Sequence, residues 1–296
     1  MRRYKSFGSV TFDVLNVCFL VVLCIIFVYP VYLTLLFSVS ESSKMLTANK
    51  ISFLPNGFTL ESYKYLIRDR NILRYYWNTI VYASLGTTIM LLLTSMMAYP
   101  LSLPKYSGKK LVIVLLTITM FFGGGLIPYY IIIRMLGMRD TLWVMIVPGA
   151  ISAWNVIIFR TFFQNIPSSL RESAMIDGAS PFRILFRIIV PLSKPLLATF
   201  ALFSIVGYWN DFFTAMLFLN DNEKYPIQML LRQMLVNLDM TDLSNALYQS
   251  EFMRRRVNMR TSNAAAVIIT ITPIMCVYPF LQKYFAKGVM IGSIKG

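Results

Sequence analysis

No histidine occurs in the 296 residues, which removes the commonest metal ligand and the commonest general base. Cysteine is almost as scarce. Cys18, Cys24 and Cys276 each lie inside an apolar stretch, so neither a disulfide framework nor a metal cluster is indicated. No glycine-rich loop runs into a lysine in the phosphate-cradling pattern, so the chain is not expected to bind nucleotide itself. Charge is thin as well: 14% of residues, against about 25% in soluble domains. These absences leave no catalytic residue and no metal site to nominate. What fills the chain is apolar, at 57%, and several windows exceed the roughly 18 charge-free residues of a bilayer-spanning helix. The composition is that of an all-α polytopic membrane protein. The net charge of +15 sits in loops flanking apolar runs. There it reads as topology and as affinity for anionic membrane lipid rather than for nucleic acid.

Six apolar runs follow in order, at residues 14–37, 79–104, 111–133, 141–159, 195–219 and 264–280. A signal peptide is rejected for the first, whose core is far longer than the usual 7–15 residues. The second carries Ser84, Gly86, Thr87 and Thr88, small surfaces on which membrane helices approach closely. Gly123-Gly-Gly125 and Pro128 interrupt the third, where a helix ending at Gly123 with a re-entrant outer loop is expected. The fourth contains Asn155. The fifth is broken only by Asn210 and Asp211, and an ionisable residue at membrane depth is a functional-site hypothesis by default. The competing expectation is a helix that ends early and leaves Asp211 at the outer interface. Tyr208-Trp209-Asn210-Asp211 joins aromatic faces to hydrogen-bonding groups, a pairing suited to sugar rings. With Asn155, these residues are the candidate substrate pathway.

Outside the spans, a tight turn is expected at Phe53-Leu-Pro-Asn-Gly57 and a short amphipathic helix from Thr59. The parts are then a cytoplasmic N-terminus (1–13), a six-span domain (14–281) and a cytoplasmic tail (282–296). The six-span domain includes an inner loop at 160–194 and a large external segment at 220–261. The Lys/Arg bias toward the inner segments is modest. Parity is the better support, because six spans put both termini and the inner loop on one side.

That inner loop holds the most informative stretch, from Glu172 to Pro191. Ser169 and Glu172 have capping-box spacing, Gly178 is placed to end one helix, and Ser180-Pro181 to start the next. In the second helix Phe182, Leu185, Phe186 and Ile189 form one apolar face, with Arg183 and Arg187 opposite. Pattern alone would also suit a helix pair lying on the lipid surface.

Glu172, Ala174, Gly178, Ile188 and Pro191 resemble the signature of binding-protein-dependent ABC importers: E-A-A, three residues, G, nine residues, I-x-L-P. Ser173 and Val190 depart from it conservatively. Further matches are Phe53-Leu-Pro, Gly124-Gly-Leu-Ile-Pro128, Ile166-Pro-x-x-Leu170, Trp209-Asn-Asp211 and the tail Gly288-x-x-x-Gly-Ser-x-Lys-Gly296. Over nearly its whole length the chain resembles the six-span permease subunits of carbohydrate-uptake, maltose-type ABC importers. The nearest resemblance is to permeases for complex oligosaccharides, including uronic-acid and host-glycan types.

The resemblance implies a type I importer permease fold in a bacterial plasma membrane. It implies a sister permease, two ATPase subunits that hold ATP and magnesium, an extracytoplasmic sugar-binding protein and an oligosaccharide substrate. By position, Glu172, Ala174, Asp177, Gly178, Ala179, Phe182, Arg183 and Pro191 inherit the ATPase-coupling role. In the family the glutamate lies near a basic residue of the ATPase cleft. Gly288, Gly292, Ser293, Lys295 and Gly296 inherit a tail contact with the ATPases, and part of 220–261 a contact with the binding protein. The alternatives are a secondary transporter working alone and a membrane-embedded enzyme. The first lacks intramembrane charge pairs and inverted repeats, the second any plausible catalyst.

Overall fold

A computed structural model describes residues 7–41, 44, 53–55, 57–68, 70–241, 259–277 and 279. The regular structure of the described residues is helical, apart from one isolated antiparallel bridge between Ser40 and Phe58. The chain divides into two compact units, residues 1–69 with 233–272 and residues 70–232 with 273–296.

In the first unit, α1 (Phe7–Ser38) is apolar on every side and none of its apolar window is buried. Such a helix belongs in a membrane. Its end is tied down: the Tyr63 hydroxyl donates to Ser38 Oγ at 2.7 Å, and the Thr59 N–H to the Val39 carbonyl at 2.9 Å. Tyr63 lies on α2 (Glu61–Arg68), the short amphipathic helix expected there.

The second unit is built around α3 (Arg70–Ser102), which starts nine residues before the expected span and takes in Tyr75, Tyr76 and Trp77. Its small-residue stripe is used on one side only. Thr87 Oγ1 lies 3.0 Å from Ser204 Oγ, and the ring of Tyr208 sits directly on Gly86. Ser84 and Thr88 bond back to carbonyls of their own helix.

The third apolar run is broken as its glycines require. α4 (Lys109–Phe121) and α5 (Leu126–Met135) meet at 118°, with Gly125 at φ 83°, a conformation only glycine adopts readily. The fourth run differs from expectation. It is not one helix but α6 (Leu142–Ile146) and α7 (Ala153–Gln164), parted at Pro148-Gly149. Proline cannot donate the backbone hydrogen bond a continuous helix would need. At Gly149 a Cβ would come 3.2 Å from the Tyr208 hydroxyl.

After α8 (Ser168–Ile176) and α9 (Pro181–Leu192), the chain turns by 82° into α10 (Lys194–Trp209). The fully buried Ser193 marks the corner, its hydroxyl donating to the Ile189 carbonyl at 2.7 Å. The fifth run is likewise not one helix to Leu219. α10 stops at Trp209 and α11 (Phe213–Phe218) follows, the early end that was the competing expectation. Last come α12 (Ile227–Thr241) and α13 (Met259–Val277), the latter starting five residues before the expected sixth span. By length and composition α1, α3 and α13 can cross a membrane, and each of the bent pairs α4–α5 and α9–α10 can count as one more span.

Two apolar clusters hold the second unit. One gathers Leu101, Val156, Phe159, Phe163, Ile184, Leu185 and Ile189 where α3, α7 and α9 meet. Its rings cross edge to face, Phe159 on Phe163 at 6.0 Å and on Phe200 at 5.0 Å. The other joins Tyr82, Ile133, Val144, Met145, Ala215 and Phe218, with Tyr130 stacked on Phe218 at 5.4 Å.

Candidate coupling loop and substrate cavity

α8 begins at Ser168 after Pro167, and no side chain caps it. The capping box expected of Ser169 and Glu172 is therefore not formed. Ser169 already lies inside the first turn, where it cannot adopt the extended backbone an N-cap needs. The Glu172 carboxylate is exposed and neither hydrogen-bonded nor ion-paired with the described residues. The helix end does follow expectation. Gly178 has φ 73°, its N–H reaches the Met175 carbonyl at 3.0 Å, and the Ala179 N–H reaches Ala174 at 2.9 Å. Those two bonds are the paired closure of a Schellman motif. Ser180 then caps α9, its hydroxyl accepting from the Arg183 N–H at 3.4 Å, with Pro181 in the first helical position.

The apolar face of α9 differs from the expected one. Ile184, Leu185 and Ile189 are buried, while Phe182 and Phe186 remain exposed beside the exposed Arg183 and Arg187. The cause is local: residues 185–189 form a π-helical turn. Its extra residue per turn shifts the buried set off the i, i+3, i+4, i+7 series. The helix pair consequently presents Met175, Ile176 (87% exposed) and Phe182 (62% exposed) outward. Asp177 is exposed, and so is Pro191. Ala174 and Ala179 are half-buried and rest on the cluster of α3, α7 and α9.

Sequence reasoning missed Arg171. It is 6% exposed, the one buried side chain of α8. The missed signal is position, since Arg171 lies three residues before Ala174 on the face that meets the core.

Of the pathway candidates, the structure gathers Asn155, Tyr208 and Asp211 around one cavity of about 530 Å3, with Trp154, Phe203 and Ser204. The Tyr208 hydroxyl donates to the Ile146 carbonyl at 3.2 Å, and Asp211 accepts from the Thr214 N–H at 3.0 Å, steadying the start of α11. Trp209 and Asn210 do not line this cavity. Trp209 is 6% exposed and lies against Tyr76, ring centroids 6.1 Å apart. Asn210 Oδ1 accepts from the Gln228 amide at 3.1 Å.

A polar clamp closes the far end of the unit. The Asn78 amide donates to the carbonyls of Glu223 (2.7 Å) and Tyr225 (3.1 Å), and the Tyr82 hydroxyl to Lys224 (2.7 Å). Arg74 pairs with Glu223 at 2.6 Å and Lys224 with Asp140 at 3.3 Å. Partial burial pushes the Asp140 carboxyl up. The N–H groups of Asp221 and Asn220 and the Lys224 ammonium more than offset this and hold it below the usual carboxylate range.

The tail residues Gly288, Gly292, Ser293, Lys295 and Gly296 lie outside the described residues, as does 242–258 of the large external segment.

The chain is similar to known proteins over nearly its whole length. Protein LplC of Bacillus subtilis is 42% identical over 96% of this chain and 95% of its own length. The polygalacturonan/rhamnogalacturonan transport system permease protein YtcP of the same organism is 38% identical, over 96% and 98%. A crystal structure of a bacterial ABC transporter involved in the import of the acidic polysaccharide alginate contains a chain that superposes with a TM-score of 0.84. It is 30% identical over 95% of this chain and 99% of that one. Residues 80–291 match the family model for the binding-protein-dependent transport system inner membrane component. With the inner helix pair, its exposed signature residues and the broken apolar helices, this match makes the chain a member of that family of membrane transport components.

Proposed function

We propose that this chain is a permease subunit of an ATP-driven importer for oligosaccharides. It forms a translocation pathway with a sister permease, receives sugar from an extracytoplasmic binding protein, and docks through residues 172–191 onto one of two ATPases that hold ATP and magnesium. Both termini then lie in the cytoplasm.

The observation that supports this reading most is the helix pair itself. It is capped at both sides of Gly178, seated on the core through Ile184, Leu185 and Ile189, and left apolar on its outer face. A docked element transmits force only when it is stiff and socketed, and this one has the stiffness built in. Exposed Phe182 and Ile176 flanked by Glu172 and Arg183 suit a protein cleft better than a lipid surface, because acidic and basic groups alternate around them. The cavity with Trp154, Phe203 and Tyr208 beside Asn155, Ser204 and Asp211 offers stacking faces and hydrogen-bond partners to a sugar. A lone secondary transporter has less support. The described ion pairs fall at residues 41–44 and in the clamp around 220–224.

Co-expression with the ATPase and sister permease, purification through this chain, and uptake of oligogalacturonate, alginate oligomers and maltodextrin into liposomes is the test. ATP-dependent uptake of one of these supports the reading. Uptake without any ATPase overturns it.

A further inference from the structure

Arg171 is a guanidinium taken out of water in the middle of an otherwise exposed helix. Its residue is 6% exposed and its Nη1 has no hydrogen-bond partner among the described residues. Buried charges are ordinarily paired, and each orphaned buried polar atom calls for a reason. The other side chains of α8 are exposed or, like Ala174, half-buried, so Arg171 is the deepest hold of this helix on the rest of the unit. It lies near the Ser102 end of α3. The guanidinium lies within electrostatic reach of the Tyr99 hydroxyl, and Tyr99 and Leu101 belong to the cluster against which Ala174 and Ala179 rest. That helix end gathers other cations by its carbonyls. Arg160 Nε donates to Leu101 at 3.1 Å and Lys109 Nζ to Leu103 at 3.1 Å. Both are what the negative end of a helix dipole attracts.

We infer that Arg171 is a positioning residue, a pin that fixes the docking helix to the inner end of α3 so that movement of the helix pair is passed to the spans. This rests on the reading that residues 172–191 dock onto an ATPase. A planar guanidinium with an unpaired buried donor suits a joint that must serve two arrangements, because that donor can take up an acceptor in the second. Glu172, next in sequence, points its exposed carboxylate away from the chain, so adjacent residues serve the two sides of one helix.

The test uses the full complex with Cys18, Cys24 and Cys276 changed to serine and Trp154→Cys as a reporter in the cavity. Co-purification of the ATPase is measured first. The change in labelling rate by a membrane-impermeant maleimide between the nucleotide-free and ATP–vanadate states is measured second. Arg171→Met keeps the stem and removes the fork. It is expected to co-purify normally while the nucleotide-driven change falls at least about tenfold. An undiminished change overturns the pin, and so does loss of ATPase binding in parallel, which would make Arg171 part of the docking surface. Should Arg171→Met fail to insert, Arg171→Lys is read in its place and is expected to lose at least half of the change. A full change there overturns the proposal. Gly178→Val, run alongside, separates the two levels of the argument. If the loop is not the dock, that variant also binds ATPase normally; if only the pin is wrong, Gly178→Val still fails to bind while Arg171→Met behaves as the parent.

Discussion

The two ends of the second unit are finished in opposite ways. Where α3, α7 and α9 meet, the chain buries aliphatic side chains beneath a helix pair and leaves Ile176 and Phe182 bare above it. At the other end the loop around residues 220–227 is laced to α3 by side-chain bonds at Asn78, Tyr82 and Thr79 and by the Arg74–Glu223 pair, and to the turn between α5 and α6 by the Lys224–Asp140 pair. One end pairs its charged groups with each other; the other leaves Glu172, Asp177 and Arg183 turned outward. The difference teaches which end is complete in this chain and which is shaped for another protein.

The sharpest way to break that contrast is at Gly178. A Cβ there would meet nothing within 4 Å, so the whole cost of substitution is backbone conformation at φ 73°. That cost is roughly 1–2 kcal/mol for a residue with Cβ, and higher for a β-branched one. Gly178→Val is expected to insert normally and to lose ATPase co-purification by about tenfold or more, with Gly178→Ala intermediate. Full binding by the valine variant would remove the left-handed reversal from the docking account.

Glu172→Gln comes next in size. Since Glu172 caps nothing in α8, the amide should leave folding and ATPase co-purification intact while lowering uptake per ATP hydrolysed. Normal uptake by the glutamine variant would show that the charge has no coupling role.

A smaller effect is expected at Gly86, which sits under the Tyr208 ring. Gly86→Ala overpacks that contact at a cost of about 1–3 kcal/mol. Thermal unfolding in detergent should show the loss, and labelling of a cysteine at position 154 should show a displaced Tyr208. An unchanged melting temperature would mean that the ring moves aside freely.

The smallest effect belongs to the clamp. Asp140 titrates below its usual 3.8, so its contribution is present above that pH and is lost as pH falls through the lower folded value. Lys224 titrates above its usual 10.5: desolvation pulls it down, but bonds to Asp140 and Asp221 raise it further. Its contribution is present below 10.5 and is lost above the raised value. Stability from this pair should thus be flat between about pH 5 and 9. Asp140→Asn should remove the acid limb and weaken the alkaline one, which Asp221 alone would then support, as read by melting temperature against pH. A slope across the neutral range would place the clamp's strength elsewhere.

Much of the inner end was legible because its rules are local. Gly178 and Ser180-Pro181 announce a reversal and a restart from the chemistry of single residues, and both occur. The capping box failed by two residues of register, which spacing alone does not set. The face of α9 failed because a π-helical turn has no signature in an apolar sequence. Phe182 and Phe186 look like core residues in an apolar pattern but are exposed in this chain, and under the proposed docking a different chain would cover them. Breaks inside apolar runs were legible at Gly123-Gly-Gly125, where three glycines stand together, and not at Pro148-Gly149, where high apolarity suggested a single span. Trp209 and Asp211 were read together from one motif. Successive residues at a helix end point in different directions, so one is buried against Tyr76 and the other faces the cavity.

The widened turn at residues 185–189 has a consequence for any attempt to tidy α9. Removing one residue from it would let the helix run as an ordinary α-helix, with a better-bonded backbone. It would also turn everything on the Gly178 side by about 100° relative to Pro191. Phe182 and Arg183 would then face a new direction while Ser193 and the start of α10 stayed put. On the proposed coupling role, the irregular turn acts as a phase setting between the docking surface and the span that follows, and a shorter, more regular helix would aim that surface at the wrong wall.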